Sequence, residues 1–249
     1  MKKTVLITGG GKGIGFGLAK AFAKEEYNIA ITGRNENTLT KAKENLEKEY
    51  NVKVLTIVAD GAKEDEVIKA IELIKETFGG LNTLINNAQA SKSGVMLVDH
   101  TKEDFDLAIY SGLYAAFYYM KYSFPLLKES AGNVINFASG AGISGKPGQS
   151  SYAAAKEGIR GLSRVATTEW GPYNISVNVI CPLAMTEALE NWRAEYPEVY
   201  EKTIQDVPMG RFADPETDIG NTCVFLSSDK AHYITGETIH LQGGSGLRP

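Results

Sequence analysis

The stretch from Thr4 to Glu26 reads T-V-L-I-T-G-G-G-K-G-I-G-F-G-L-A-K-A-F-A-K-E-E. Its first five residues form the short apolar run of a buried strand, the glycines that follow predict a tight turn, and Phe16 to Glu26 predicts a helix. Glycines let the backbone approach a pyrophosphate, and a helix amino terminus favours its negative charge. Strand, glycine turn and helix in this order predict a dinucleotide-binding unit, whereas a glycine cluster alone could be a turn without a ligand.

Helical and strand-like segments alternate along the rest of the chain. This alternation predicts right-handed crossovers and a mainly parallel sheet with helices on both faces. Ligands of such sheets bind where the strands end at their carboxyl termini. We therefore expect one crevice to collect the residues at the predicted strand ends, which are Thr8, Arg34, Asp60, Asn87 and Ser139.

The second predicted strand, Asn28 to Thr32, is followed by Gly33 and Arg34. At this position an NAD enzyme places an acidic residue against the ribose hydroxyl, whereas an arginine accommodates the 2'-phosphate of NADP. Lys12 in the glycine turn adds a second cation that could reach the same phosphate. The sequence favours NADP over NAD, although two solvated surface cations remain an alternative.

A second motif combines Ser139, Tyr152 and Lys156. Ser139 follows a predicted buried strand, Val134 to Ala138, and the other two residues lie four apart on a predicted helix, so their side chains share one face. A phenol catalyses proton transfer near neutral pH only if a nearby cation lowers its pKa, and Lys156 is that cation. The Ser139 hydroxyl can hold a substrate oxygen against the phenol. The arrangement suits interconversion of an alcohol and a carbonyl, although among 12 tyrosines such a Tyr–Lys pair arises by chance about once.

Composition excludes several classes of protein. The 249 residues carry a net charge of -4 without a basic block, which argues against nucleic acid as a partner and gives no sign of a membrane-binding surface. Cys181 and Cys223 lie in apolar surroundings and predict reduced core thiols. The three histidines show no metal-ligand spacing, and no metal is expected. With no leader-like segment and no membrane-length apolar run, we expect a cytoplasmic protein that forms one domain over 1–249.

Taken together, these motifs resemble the short-chain dehydrogenase/reductase family over essentially the whole chain. The resemblance implies a single-domain Rossmann-type three-layer α/β sandwich with a seven-stranded, mainly parallel sheet, and a homotetramer acting on a small-molecule substrate. It also implies Tyr152 as acid-base catalyst, Lys156 lowering its pKa and binding the nicotinamide ribose, and Ser139 orienting the substrate. The cofactor contacts predicted from motifs and resemblance together are Thr8, Gly9, Lys12, Gly13, Ile14, Gly15, Arg34, Asp60, Gly61, Asn87, Ala88, Tyr152, Lys156, Pro182 and Thr186.

Three positions depart from the family pattern. Gly112 stands where the family has a catalytic asparagine, so proton transfer must use another group, such as Ser111 or ordered water, unless the site is impaired. Gln89 replaces a glycine after Asn86-Asn87-Ala88, and Leu183 follows Pro182 where the family has glycine. With their neighbours, these positions resemble one branch of the family, the NADP-dependent hydroxysteroid dehydrogenases that act on the 12α-hydroxyl of bile acids.

The segment 183–212 is predicted to form a substrate lid. It is rich in large apolar side chains, which suits a flat hydrophobic ligand. The same residues could instead pack the lid against the body or a second subunit. Two alternatives stay open: a reductase of other carbonyls, such as a 3-oxoacyl carrier-protein reductase, and an NADP-binding sensor without turnover.

Overall fold

A computed structural model describes residues 2–246, apart from the side chain of Ala188. The strands are β1 (Thr4–Thr8), β2 (Asn28–Gly33), β3 (Val54–Val58), β4 (Thr83–Asn86), β5 (Asn133–Phe137), β6 (Ser176–Pro182) and β7 (Thr238–Leu241). They form one seven-stranded sheet in the order β3-β2-β1-β4-β5-β6-β7, and every pairing is parallel. The sequence predicted a mainly parallel sheet.

Helices cover both faces of this sheet. They are α1 (Gly13–Lys24), α2 (Glu36–Glu49), α3 (Glu64–Phe78), α4 (Lys102–Ala108), α5 (Ala115–Ser130), α6 (Gly140–Ser144), α7 (Ser150–Trp170), α8 (Glu187–Glu195), α9 (Pro197–Gln205) and α10 (Asn221–Leu226). Single π-helical turns, Ile109–Tyr114 and Pro215–Gly220, precede α5 and α10. Short 3-10 turns occupy Leu97–Asp99, Gly171–Tyr173 and Asp229–Ala231.

Successive residues of β1 face opposite layers, because side chains alternate along a strand. Val5 and Ile7 are fully buried with Leu18 and Phe22 of α1. Leu6, between them, is buried in the layer formed by α3, α5 and α7. Burial on both faces explains why β1 is apolar throughout, and it confirms the predicted three-layer α/β sandwich.

Helix α1 starts three residues earlier than the sequence predicted, at Gly13 rather than Phe16. The glycine turn therefore includes the first helical turn, whose backbone N–H groups have no partners within the helix. Gly15 lies against the turn: a Cβ atom there would be 2.2 Å from the carbonyl oxygen of Gly9. Only glycine at this position allows the turn to fold back on α1.

Two long helical stretches are interrupted in the structure. The stretch that begins at Lys102 contains the π-helical turn Ile109–Tyr114 between α4 and α5. The apolar spacing from Leu189 to Tyr200, which could have been one helix, belongs to two helices that meet at Tyr196, where Pro197 begins α9. Proline is favoured at the first position of a helix because it lacks the N–H that would be unpaired there.

Candidate active site

A crevice of about 870 Å³ runs along the carboxyl ends of the central strands. Its position, where the chain leaves β1 and β4 in opposite directions, is the usual ligand site of a doubly wound sheet. Of the predicted cofactor contacts, the following line it: Thr8, Gly9, Lys12, Gly13, Arg34, Asp60, Gly61, Asn87, Ala88 and Thr186. Ile14, Gly15, Pro182, Tyr152 and Lys156 do not contribute to this lining.

Thr8 fixes the wall of the crevice opposite the glycine turn. Its side-chain oxygen accepts hydrogen bonds from the backbone N–H groups of Asn87 and Ala88, each at 3.0 Å. The side-chain amide of Asn87 donates in return to the carbonyl oxygen of Thr8 at 2.9 Å. These bonds tie the ends of β1 and β4 together, so Asn87 holds the two strand ends in place.

One end of the crevice carries cationic and polar side chains. Lys12 and Arg34 are both exposed, and both line it. Asn35, which was not among the predicted site residues, caps α2 by accepting a hydrogen bond from the backbone N–H of Thr38 at 2.9 Å. Thr38 and Asn35 also line the crevice. This end can receive an anion between two cations and the polar start of α2.

Asp60 and Thr186 are each held by local hydrogen bonds. The Asp60 carboxylate accepts from the backbone N–H of Ala62 at 3.1 Å. The Thr186 hydroxyl accepts from the N–H of Leu189 at 3.4 Å and caps α8. Both side chains are thereby oriented on the crevice by the turns they begin.

Ser139, Tyr152 and Lys156 come together beside the crevice, as the motif predicts. Ser139 caps α6, with its hydroxyl oxygen accepting from the N–H of Ala141 at 3.2 Å. Because that bond uses a lone pair of the oxygen, the hydroxyl proton stays available to another acceptor. The ammonium nitrogen of Lys156 lies 5.6 Å from the centre of the Tyr152 ring. The geometry places a phenol between a hydroxyl and a cation.

Burial dominates the titration of this pair. Burial lowers the pKa of Lys156 to about 8. Burial also raises the pKa of Tyr152, and the Ser139 hydroxyl only partly opposes that rise. The sequence predicted a lowered tyrosine pKa; in the structure, the cost of desolvating the phenolate exceeds the stabilisation that its neighbours provide.

Two residues that depart from the family pattern meet at one side of the crevice. Gln89 and Gly112 both line it, and the Gln89 side chain covers Gly112. The Ser111 hydroxyl, predicted as a possible proton relay, donates to the carbonyl oxygen of Ala90 at 2.9 Å and accepts from its N–H at 3.0 Å. Ser111 thus anchors the loop after β4.

The predicted lid residues pack largely on one another. Tyr200, Ile204, Val207 and Phe212 form a buried cluster, and Leu183, Met185, Leu189 and Trp192 pack partly buried against it. Tyr196 and Met209 are exposed instead.

In the part of the chain that the structure describes, no helix is long and apolar enough to cross a membrane. Nor does any group of three or more His, Cys, Asp or Glu residues within 2–246 have the arrangement of a metal site.

Comparison with known proteins agrees with this geometry. Residues 9–245 match the short-chain alcohol dehydrogenase family described as "Enoyl-(Acyl carrier protein) reductase". The chain is 58% identical, over 99% of its length and 98% of the relative's, to a 12α-hydroxysteroid dehydrogenase of Clostridium sp.. It is 34% identical, over 98% of its length and 99% of the relative's, to a 3-oxoacyl-[acyl-carrier-protein] reductase of Staphylococcus epidermidis.

A solved structure has the same fold. L-sorbose reductase from Gluconobacter frateurii, complexed with NADPH and L-sorbose, superposes with a TM-score of 0.93 at 27% identity, over 100% of this chain and 98% of that one. Family match, full-length relatives and fold agree with the Ser139, Tyr152 and Lys156 geometry. The chain therefore belongs to the short-chain dehydrogenase/reductase family and is an oxidoreductase of the short-chain alcohol dehydrogenase kind.

Proposed function

We propose that the protein interconverts the 12α-hydroxyl and 12-oxo groups of bile acids, with NADP as hydride carrier. One observation carries the proposal: the Ser139, Tyr152 and Lys156 arrangement belongs to a chain that is 58% identical over its full length to a 12α-hydroxysteroid dehydrogenase. The geometry supports alcohol and ketone chemistry, and the relative supplies the substrate class.

In this proposal Tyr152 exchanges a proton with the substrate oxygen. During oxidation the phenolate takes the proton of the hydroxyl group as hydride leaves the carbinol carbon, and the protein finally releases that proton to solvent. Ser139 donates its hydroxyl proton to the same oxygen, since its own oxygen is already held by the N–H of Ala141. NADP, when bound, would supply the hydride acceptor and a positive charge on its oxidised ring.

Lys156 has two roles in the proposal. Its ammonium group favours the phenolate form of Tyr152, and it hydrogen-bonds the nicotinamide ribose. With its pKa at about 8, the lysine loses part of its charge as the pH rises toward and past 8. A rise in pH therefore weakens the cation while it promotes loss of the substrate proton.

The residues present fit a dinucleotide with a 2'-phosphate. The glycine turn and the amino terminus of α1 form a cradle in which a Cβ at Gly15 would collide with Gly9. Lys12 and Arg34 supply two cations at the end of the crevice where the adenosine ribose would lie. Ile14, Pro182 and Thr186 would complete the contacts, with Thr186 directed at the nicotinamide carboxamide.

The lid 183–212 is proposed to cover the steroid. Its buried cluster shows that several of its apolar residues stabilise the lid itself. The partly buried Leu183, Met185, Leu189 and Trp192 are then the members best placed to meet a flat apolar ligand.

A homotetramer in the cytoplasm completes the proposal. Tyr110, Tyr114 and Phe117 leave a large apolar face exposed on the turn before α5 and on α5 itself, and Val165 does so on α7. Exposed apolar patches of this kind mark interaction surfaces. The two buried cysteines suit a reducing compartment.

The test compares two bile acids and two cofactors. Deoxycholate carries a 12α-hydroxyl and chenodeoxycholate does not, so reduction of NADP, followed by absorbance, should occur only with deoxycholate. NAD should support little turnover. Oxidation of both bile acids would place the reaction at their shared 3α-hydroxyl. Activity on neither, with reduction of a 3-oxoacyl thioester instead, would favour the function named for the staphylococcal relative.

A further inference from the structure

The side chain of Gln89 occupies an unusual position above Gly112. Gln89 follows Ala88 in the loop after β4, and Gly112 lies in the π-helical turn before α5. A Cβ atom at Gly112 would be 2.8 Å from Cδ, 2.9 Å from Oε1 and 3.0 Å from Nε2 of Gln89. The carboxamide therefore fills the space into which a side chain at residue 112 would extend.

In this position the Gln89 carboxamide is not satisfied by the protein. Both Oε1 and Nε2 are buried, and neither has a hydrogen-bond partner among residues 2–246. Buried polar groups in native proteins are nearly always paired, because an unpaired one loses its hydration and gains nothing in return. The position over Gly112 is thus unfavourable for an amide and well suited to an apolar group.

Gln89 nevertheless lines the crevice, at a definite place relative to the glycine turn. A Cβ atom at Gly9 would be 3.2 Å from the Cβ of Ala88, so the glycine turn and the loop after β4 touch. A dinucleotide with its pyrophosphate on the turn and its adenosine toward Arg34 must extend its other nucleoside along residues 87–89. Gln89 is then within side-chain reach of that nucleoside.

We propose that Gln89 is a cofactor contact with two positions. Its carboxamide can occupy the buried position over Gly112, which we call the seat. Rotation about the side-chain bonds moves the carboxamide from the seat into the crevice, where it hydrogen-bonds the polar groups of the nicotinamide riboside. The inference rests on the proposed function in one respect, that a nicotinamide dinucleotide fills the crevice. Because the amide is unpaired in the seat, pairing with the cofactor makes the outward position favourable.

The first variant is Gln89→Met, which keeps the length and approximate shape of the side chain but removes its amide. The melting temperature of the cofactor-free protein should rise by about 2 °C or more, because an apolar group replaces an unpaired one. The dissociation constant of NADPH, measured by fluorescence without substrate, should increase about three- to tenfold for loss of a hydrogen bond. Stability and affinity should thus change in opposite directions.

The control is Asn51→Met, which removes an exposed amide just before β3. Asn51 lies at the amino end of that strand, whereas the crevice lies at the carboxyl ends of the strands. It should change neither the melting temperature nor the dissociation constant of NADPH.

A second variant, Gly112→Ala, tests the seat itself, since the added methyl group displaces the Gln89 carboxamide outward. NADPH should bind the Gly112→Ala variant at least as tightly as it binds the parent. In a protein that already carries Gln89→Met, Gly112→Ala should not increase the affinity for NADPH.

Several outcomes would overturn the inference. A lower melting temperature for Gln89→Met would show that the amide has partners within the chain. Unchanged NADPH affinity, or a change confined to the KM of the bile acid, would exclude a cofactor contact. Weaker NADPH binding by a folded Gly112→Ala variant would show that the seat is the binding position. Since binding is measured without substrate, failure of bile-acid turnover leaves these results unaffected, whereas an unmodified chain that bound neither NADPH nor NADH would overturn both proposals.

Discussion

The ammonium nitrogen of Lys156 donates a hydrogen bond to the carbonyl oxygen of Phe137, the last residue of β5, at 2.6 Å. Only 4% of the lysine is exposed. The bond joins α7 to the sheet and fixes the cation 5.6 Å from the centre of the Tyr152 ring. It does not replace the lost hydration, and burial lowers the pKa of Lys156 to about 8.

Replacing this lysine should stabilise the protein in a pH-dependent way. In the unfolded chain its pKa is about 10.4. Between pH 8 and about 10.4 the unfolded state binds more protons than the folded state, so the contribution of Lys156 to the free energy of unfolding rises with pH. Below pH 8 the full penalty is present. Lys156→Met should therefore raise the free energy of unfolding at pH 7 by about 1–3 kcal/mol, with a smaller gain at pH 10.

Denaturant unfolding of the cofactor-free variant at both pH values measures this difference. The variant should also lose most of its dehydrogenase activity, because the phenol no longer has a cation beside it. A variant less stable than the parent at pH 7 would mean that the bond to Phe137 outweighs the cost of burying the charge.

Tyr152→Phe should lower kcat at least about 10³-fold, since it removes the group that exchanges the proton. The phenyl ring keeps the packing, so NADPH affinity and melting temperature should stay close to those of the parent. Steady-state kinetics and fluorescence titration measure the two effects separately. Tyr233→Phe, at a fully exposed tyrosine, is the matched control and should be indistinguishable from the parent. Residual activity within tenfold of the parent would exclude Tyr152 as the acid-base group.

Arg34→Asp should reverse the cofactor preference. Loss of a charge-assisted hydrogen bond to the 2'-phosphate should weaken NADP binding about 10- to 100-fold, while the new carboxylate can accept from the ribose hydroxyl of NAD. The ratio of kcat/KM for NADP and NAD measures the change. Lys41→Asp makes a similar charge change on an exposed position of α2 away from the crevice, and it should leave that ratio unaltered. An unchanged ratio in Arg34→Asp would contradict the assignment of the phosphate site.

Gly15→Ala should abolish tight dinucleotide binding, with a dissociation constant raised more than about 100-fold. The added methyl group would stand 2.2 Å from the carbonyl oxygen of Gly9, so the glycine turn must move away from α1. The same collision should lower stability by about 1–3 kcal/mol. Gly171→Ala, where an added Cβ meets nothing within 4 Å, is the matched control. Parent-like NADPH affinity in Gly15→Ala would show that the turn does not cradle the pyrophosphate.

Much of the architecture was predictable because local patterns encode it. The strand Thr4–Thr8 has the predicted bounds, since a short apolar run that leads into a glycine-rich turn has few alternatives. Other boundaries differ by one to three residues. Gly13 begins α1 because the closing of the turn, rather than helix propensity, sets its start.

The family departures could be recognised in the sequence, but their relationship could not. Gln89 and Gly112 are separated by 23 positions and meet only because the loop after β4 lies against the turn before α5. The sequence showed a missing asparagine and an extra glutamine as two separate facts. The structure shows one packed pair, in which the Gln89 side chain occupies the space that a larger residue at position 112 would need.

By itself the sequence determined the fold class, the position of the glycine turn and the spacing of Tyr152 and Lys156, because strand and helix periods fix which side chains share a face. Only the tertiary structure decided how those groups are charged. Burial of these two α7 side chains lowers the pKa of Lys156 and raises that of Tyr152, against the direction predicted for the tyrosine. Desolvation depends on every atom packed around a group, and residues distant in the chain supply those atoms.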